Sequence, residues 1–135
     1  MTIIVLLMDF VAYGNPGIEG THKTAFEITQ HTSVVPKGDL VIGTRANFDP
    51  EALAALAQVS NKIRITLRTR GITETITGDS NKDYVPGPSI IVRKAGASPQ
   101  TIITNADKSA GDLPRKLIRA LQNPEEHLIV IIERA

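Results

Sequence analysis

Cysteine and tryptophan are absent from the chain, and aromatic rings amount to two tyrosines and three phenylalanines. Without a thiol there is no disulfide framework, no thiolate zinc site and no cysteine nucleophile. That absence fits a reducing cytoplasm. Few aromatic rings leave little on which the bases of a single strand could stack. There is no excess of either charge: 15 Lys and Arg stand against 14 Asp and Glu, for a net +1. A wholesale polyanion binder is thereby excluded, and any nucleic-acid role needs a local basic patch. No stretch approaches the roughly 20 apolar residues that span a bilayer. The opening MTIIVLLMDF lacks the basic flank and clean cleavage site of a signal peptide, so it reads as a first β-strand. Gly-x-Ser-x-Gly, a Rossmann glycine fingerprint and a His-x-x-x-His pair are all missing. The composition thus points to a cytoplasmic protein with no membrane association, no metal and no cofactor.

The 135 residues make one domain, 1–135, long enough to bury roughly two-thirds of its unfolded surface. Strand signals dominate. MTIIVLLMDFVAY ends at GNPG, where Pro16 sets φ and Gly14 and Gly17 permit positive φ. TAFEIT alternates, with Thr24, Phe26 and Ile28 on one face and Ala25, Glu27 and Thr29 on the other. DLVIGT, KIRITLRTR, ITETITG, SIIVRK, QTIIT and HLIVIIER supply further strands; the last is apolar on both faces, which suggests a central position in its sheet. Two helices are expected. DPEALAALAQ has Asp49 as N-cap, Pro50 at its first position and an inward stripe of Leu53, Leu56 and Ala57. DLPRKLIRALQN has Asp112 as cap, with Leu117, Ile118 and Leu121 inward and Pro124 as its stop. The order of elements in 8–70 matches that in 72–135, aligning Ala46 with Ala106, Pro50 with Pro114 and Leu53 with Leu117. An internal duplication is expected, two pseudo-repeats of about 65 residues, each too small to hold a core alone. The fold class is therefore mainly β with two short helices (α+β), a compact β-sandwich or barrel.

The blocks GNPGIEGTHKTAFEIT, PKGDLVIGT, IIVRK and NADKSAGDLPRKL, in that order, resemble the signature blocks of the archaeal family called domain of unknown function 371. The likeness runs from about Tyr13 to about Leu121. It implies a mainly-β domain and no particular activity. The chain departs from the family pattern twice. A G-H-P opening stands here as Gly14-Asn15-Pro16, and a family cysteine is missing from Leu40-Val41-Ile42-Gly43, so neither place carries His or Cys chemistry.

Residues 17 to 24, GIEGTHKT, are one substitution from the phosphate loop G-x-x-x-x-G-K-[ST], with His22 in place of the second glycine. A Cβ there obstructs the backbone wrap around phosphates, and TAFEIT follows as a strand where a helix would have to start. A nucleotide site is therefore set aside. His22 itself has two readings: a histidine bonded to backbone at a sheet edge, or an acid–base group at a pocket mouth, helped by Thr21, Thr24, Arg45 and Asn47. Asp39 and Asp107 read first as caps of orphan N–H groups.

Lys62, Arg64 and Arg68, with Arg70 at the end, form a basic stripe on one face of KIRITLRTR, which Arg93 and Lys94 could extend. The stripe could track a phosphate backbone. It could equally be a solvated edge neutralised across strands by Glu27, Glu74 or Glu133. Function stays open between two classes. The preferred one is a binding module for RNA, a phosphate-like anion or a protein partner, working as monomer or homodimer. The alternative is a small enzyme with His22 as its acid–base group.

Overall fold

The computed structural model describes residues 6–135, so Met1 to Val5 of the expected first strand lie outside the described residues. Eight strands and two helices follow in the order β1 (Leu7–Tyr13), β2 (Ala25–Thr29), β3 (Val41–Gly43), α1 (Pro50–Val59), β4 (Lys62–Thr69), β5 (Ile72–Ser80), β6 (Ser89–Arg93), β7 (Thr101–Thr104), α2 (Arg115–Ala120) and β8 (His127–Arg134). The class is α+β, mainly β. The strands form one sheet, ordered β1-β8-β4-β5-β7-β6-β2-β3.

The expected sandwich or barrel gives way to this single open sheet. It curls until its two ends touch at one residue pair, Tyr13 and Thr44, which exchange backbone bonds of 2.8 Å each. No ladder follows from that contact. β3 has three residues, too few to continue the pairing along β1 and close a barrel.

The inward face is a continuous apolar core. Ile63, Ile65 and Leu67 of β4, Leu128, Val130 and Ile132 of β8, and Phe26 and Ile28 of β2 are all fully buried. Each such side chain contributes roughly 1.5–3 kcal/mol. Helix α1 begins as expected: Asp49 Oδ1 accepts the N–H groups of Glu51 (3.0 Å) and Ala52 (3.4 Å), and Leu53, Leu56 and Ala57 face the core. Helix α2 has six residues, shorter than its pattern suggested. Asp112 does not cap it. Asp112 closes a capping box with Ser109 on a preceding 3-10 turn, Ala110–Asp112.

Two local expectations change. In β2 all five residues are buried, so its alternation does not separate core from solvent. β8 lies between β1 and β4, the interior place expected of it, and Ile129 on its outer face is 41% exposed. Gly14 and Gly17 do not have positive φ. Gly14 is there for close approach: a Cβ on it would stand 2.1 Å from Asn123 O and 2.4 Å from Leu121 O.

Backbone geometry recurs between 7–69 and 72–134. Each span runs strand, strand, strand, helix, strand. Both parallel pairs, β2·β3 and β6·β7, carry a register shift at the matching place. Ala46 N–H donates to Thr29 O and Ala106 N–H to Arg93 O, each at 3.0 Å. Val11 N–H donates to Asn47 Oδ1 (2.9 Å) and Thr77 N–H to Asp107 Oδ1 (3.1 Å). Arg45 and Asn105 both sit at φ 51°. Asn15 and Asn81 each accept, through Oδ1, the N–H two residues on. On these correspondences we keep the internal duplication as a proposal.

That proposal equates the β4–β5 hairpin with the β8 to β1 junction, where Arg134 N–H already donates to Leu6 O at 2.9 Å. A circular permutant joined from Ala135 to Leu6 and opened at Arg70–Gly71 is expected to keep the β-sheet circular dichroism and a cooperative melt. A molten or unfolded permutant would count against the equivalence. Gly14→Ala drives a methyl into two carbonyls and is expected to cost about 3 kcal/mol, the upper part of the overpacking range, measured by urea unfolding.

Candidate functional site

Strands β2 and β6 pair antiparallel, with Ala25 opposite Arg93, Glu27 opposite Ile91 and Thr29 opposite Ser89. Phe26, Ile28, Ile90 and Val92 take the core face, so Ala25, Glu27, Thr29, Ser89, Ile91 and Arg93 share the outer one. That outer face is covered. Each of these strands also has a parallel neighbour, and parallel strands need a connection that travels back along the sheet. Residues 30–40 make that return from β2 to β3, and residues 94–100 from β6 to β7. The two returns pass over the outer face and leave clefts beneath them.

The larger cleft holds about 340 Å³ and is lined by Glu27, Lys37, Ser89, Ile91, Arg93, Ser98, Pro99 and Gln100. A second cleft of about 120 Å³ adjoins it on the other side of Glu27 and Lys37, reaching His31 and Ser33. Glu27 therefore stands between two hollows. Its side chain is 6% exposed. Oε2 accepts from Ser89 Oγ at 2.9 Å, and that hydroxyl lies 2.9 Å from Thr29 Oγ1. Thr29 Oγ1 in turn accepts the His31 N–H at 3.2 Å. Oε1 has no hydrogen-bond donor, and among the described residues it is the one buried side-chain N or O atom left so. Its nearest cation is Lys37 Nζ at 3.8 Å, an ion pair too long for a hydrogen bond.

Arg93 enters the same cleft from β6. Its Nε donates to Thr101 Oγ1 (3.1 Å) and Ser98 Oγ (3.4 Å), and Nη2 to Ser98 Oγ (3.3 Å). Gln100 Oε1 accepts the Ser89 N–H at 3.0 Å. The charged side chains on the walls are thus two cations and one carboxylate.

The other expected residues lie elsewhere. His22 is half-buried, and its Nδ1 accepts the N–H groups of Thr24 (3.2 Å) and Ala25 (3.1 Å). Its own N–H donates to Asp39 O, and its carbonyl accepts from Gly111. It fastens the approach to β2, and it lines neither of the two clefts on the outer face. Thr21 and Thr24 are exposed beside it. Arg45 stacks its guanidinium 4.5 Å above the Tyr13 ring and donates to Pro124 O. Asn47 binds Val11 through both N–H and Oδ1. Arg45 and Asn47 are thus engaged by Tyr13, Pro124 and Val11 and not by His22. Asp107 accepts the Thr77 N–H, bracing a strand in place of capping a helix.

The basic stripe is mostly paired. Lys62 bonds Asp79, Arg64 lies 3.4 Å from Glu133 and Arg70 2.9 Å from Glu126. Of the acids expected to neutralise it, Glu133 does so, Glu74 pairs with Lys108 instead, and Glu27 is in the cleft. Arg93 cannot extend the stripe, because β5 and β7 separate β6 from β4. Lys94 pairs with Asp112 at 3.0 Å. No group of three or more His, Asp or Glu that could hold a metal occurs among the described residues, and no helix there is long and apolar enough to cross a membrane.

The family model described as "Domain of unknown function (DUF371)" matches residues 10–135. The chain belongs to the DUF371 family. It is similar to "Uncharacterized protein MJ0206" of the archaeon Methanocaldococcus jannaschii, at 32% identity over 93% of this chain and 99% of that protein. The DUF371 match spans Glu27, Lys37, Ser89 and Arg93, so the cleft lies wholly within the family domain.

The sequence pattern points to Arg93 as an extension of the stripe and to Glu27 only as its counter-charge, and it gives no sign of Lys37, Ser89, Ser98 or Gln100. One signal was present: a glutamate at the centre of a strand, where Glu is ordinarily depleted. The carboxyl of Asp112 is held down at about 2, first by the Ser109 backbone N–H, then by bonds from Lys94 and the Ser109 hydroxyl. A lowered native value contributes stability above the unfolded value and loses it as pH falls from about 4 towards 2. Asp112→Asn is therefore expected to flatten the stability-against-pH curve across that window, read by thermal melts at each pH.

Proposed function

We propose that this chain is a non-enzymatic binding module for a small phosphate-like anion, and that its site is the cleft under the 30–40 and 94–100 returns. One observation carries the reading. Arg93 and Lys37 share a solvent-reachable hollow with a single carboxylate, whereas three of the four stripe cations are matched by acids. The Arg93 Nη1, which has no bond among the described residues, and an exposed Lys37 beside hydroxyls suit an oxyanion. The cleft volume falls at the small end of ligand sites. RNA binding along β4 is less well supported, since paired cations release few counterions. The same reading keeps the protein in the cytoplasm as a monomer or homodimer, which cell fractionation and sedimentation velocity would check.

In an isotope-labelled sample titrated with inorganic phosphate, the amide shifts are expected to cluster at Lys37, Arg93, Ser98 and Gln100. Arg93→Gln should weaken that binding about tenfold, the scale of one charge-assisted bond. Arg64→Ala with Arg68→Ala should leave it within about twofold, because those side chains lie on the other half of the sheet. Unmoved cleft amides, with a short single-stranded RNA shifting β4 instead, would overturn the reading.

A further inference from the structure

We infer that the cleft selects an aliphatic anion that also carries a hydroxyl or amine donor, and that Glu27 is the residue that reads the donor. This rests on the anion-site reading above and narrows it to a ligand class.

A carboxylate buried to this degree is ordinarily satisfied on both oxygens, since an unmet acceptor away from water is costly. Oε2 is satisfied, and the Ser89, Thr29 and His31 chain behind it fixes the direction of the carboxylate. Oε1 is left without a donor while its neighbour is locked. That is a pre-organised acceptor, held ready without further loss of freedom on binding.

Charge points the same way. Lys37 is 59% exposed on its loop and only 3.8 Å from Oε1. An anion entering beside Arg93 attracts the Lys37 ammonium and weakens its hold on Glu27. A bare anion would then sit near an unrelieved negative charge. A ligand with an O–H or N–H close to its anionic group supplies what Oε1 needs as Lys37 turns away. The two cations and one carboxylate leave the walls at +1, which a singly charged anion offsets. No aromatic side chain lines the cleft, so a stacked base or aromatic ring has no platform there. What remains is a hydroxylated or aminated aliphatic phosphate or carboxylate.

The test compares matched probes by calorimetry or NMR titration. Glycerol phosphate carries donors beside its phosphate and propyl phosphate does not; glycerate and propionate make the same comparison for a carboxylate. Wild-type protein is expected to bind the donor-bearing member of at least one pair about tenfold tighter, and the pair that shows it identifies the anionic group. Glu27→Gln, which keeps an acceptor for Ser89 and removes the charge, should bring that preference within about twofold. It should leave propyl phosphate or propionate bound as well as before, or better. It should also raise Tm, because a charge lacking a donor is removed; a Glu27 that served structure alone would lower Tm when changed. Arg93→Gln should weaken all four probes together.

If inorganic phosphate binds at the cleft but neither pair is discriminated, or if the preference survives Glu27→Gln, the role of Glu27 is wrong and the anion site stands. If the cleft amides respond to none of the probes, the anion site itself falls, and this inference with it.

Discussion

The antiparallel pairing of β2 with β6 is the contact on which the rest of the molecule turns. It joins the two halves of the chain at a register that sets Thr29 opposite Ser89 and Ala25 opposite Arg93. From that one register come both the inner row of Phe26, Ile28, Ile90 and Val92 and the outer row that carries Glu27. A slip of one residue would exchange the rows, sending Glu27 into the apolar core and Phe26 beneath the loops. Such an exchange would bury a carboxylate among hydrocarbon, which gives the pairing its specificity.

The second half-dependence lies in chain direction. Because β3 lies parallel to β2 and β7 parallel to β6, neither junction can be a tight hairpin. The returning segments have to cross a face of the sheet, and the core already fills the other face. The polar outer row is thereby roofed, and its hydroxyls and charges find partners in the roof: Ser98 for Arg93, Gln100 for Ser89, and Lys37 at a distance for Glu27. The remaining face, over β4, β5 and β8, has no roof. Its cations meet their counterions across strands in the open, where such pairs are worth little to stability. The sheet therefore carries two polar surfaces of different kinds, one enclosed and incompletely paired, the other exposed and nearly neutral.

His22 illustrates how a suggestive residue can be spent on structure. Its Nδ1 receives two consecutive N–H groups at the start of β2, a job that Asn, Ser or Asp commonly performs in turns. Arg45 and Asn47 are likewise engaged, one against Tyr13 and Pro124, the other along Val11. Their chemistry is consumed by backbone groups that would otherwise be unpaired. Glu27 is the contrasting case, a group with capacity left over.

Everything legible from residue order alone was short-range. Most strands, the Asp49-capped helix and its Leu53, Leu56 and Ala57 face were legible because turn residues and side-chain period act within a few neighbours. Family membership was legible too, since it resides in the order of short blocks. Tertiary structure alone decided that β2 has no exposed face, that the sheet stays open because β3 is too short to close it, and that Glu27, Lys37 and Arg93 converge. Those outcomes depend on which distant strand pairs with which, and on where two loops must cross. Pairing between residues 27 and 91 is a choice among many registers of similar local propensity, and only the packing of the whole core selects one.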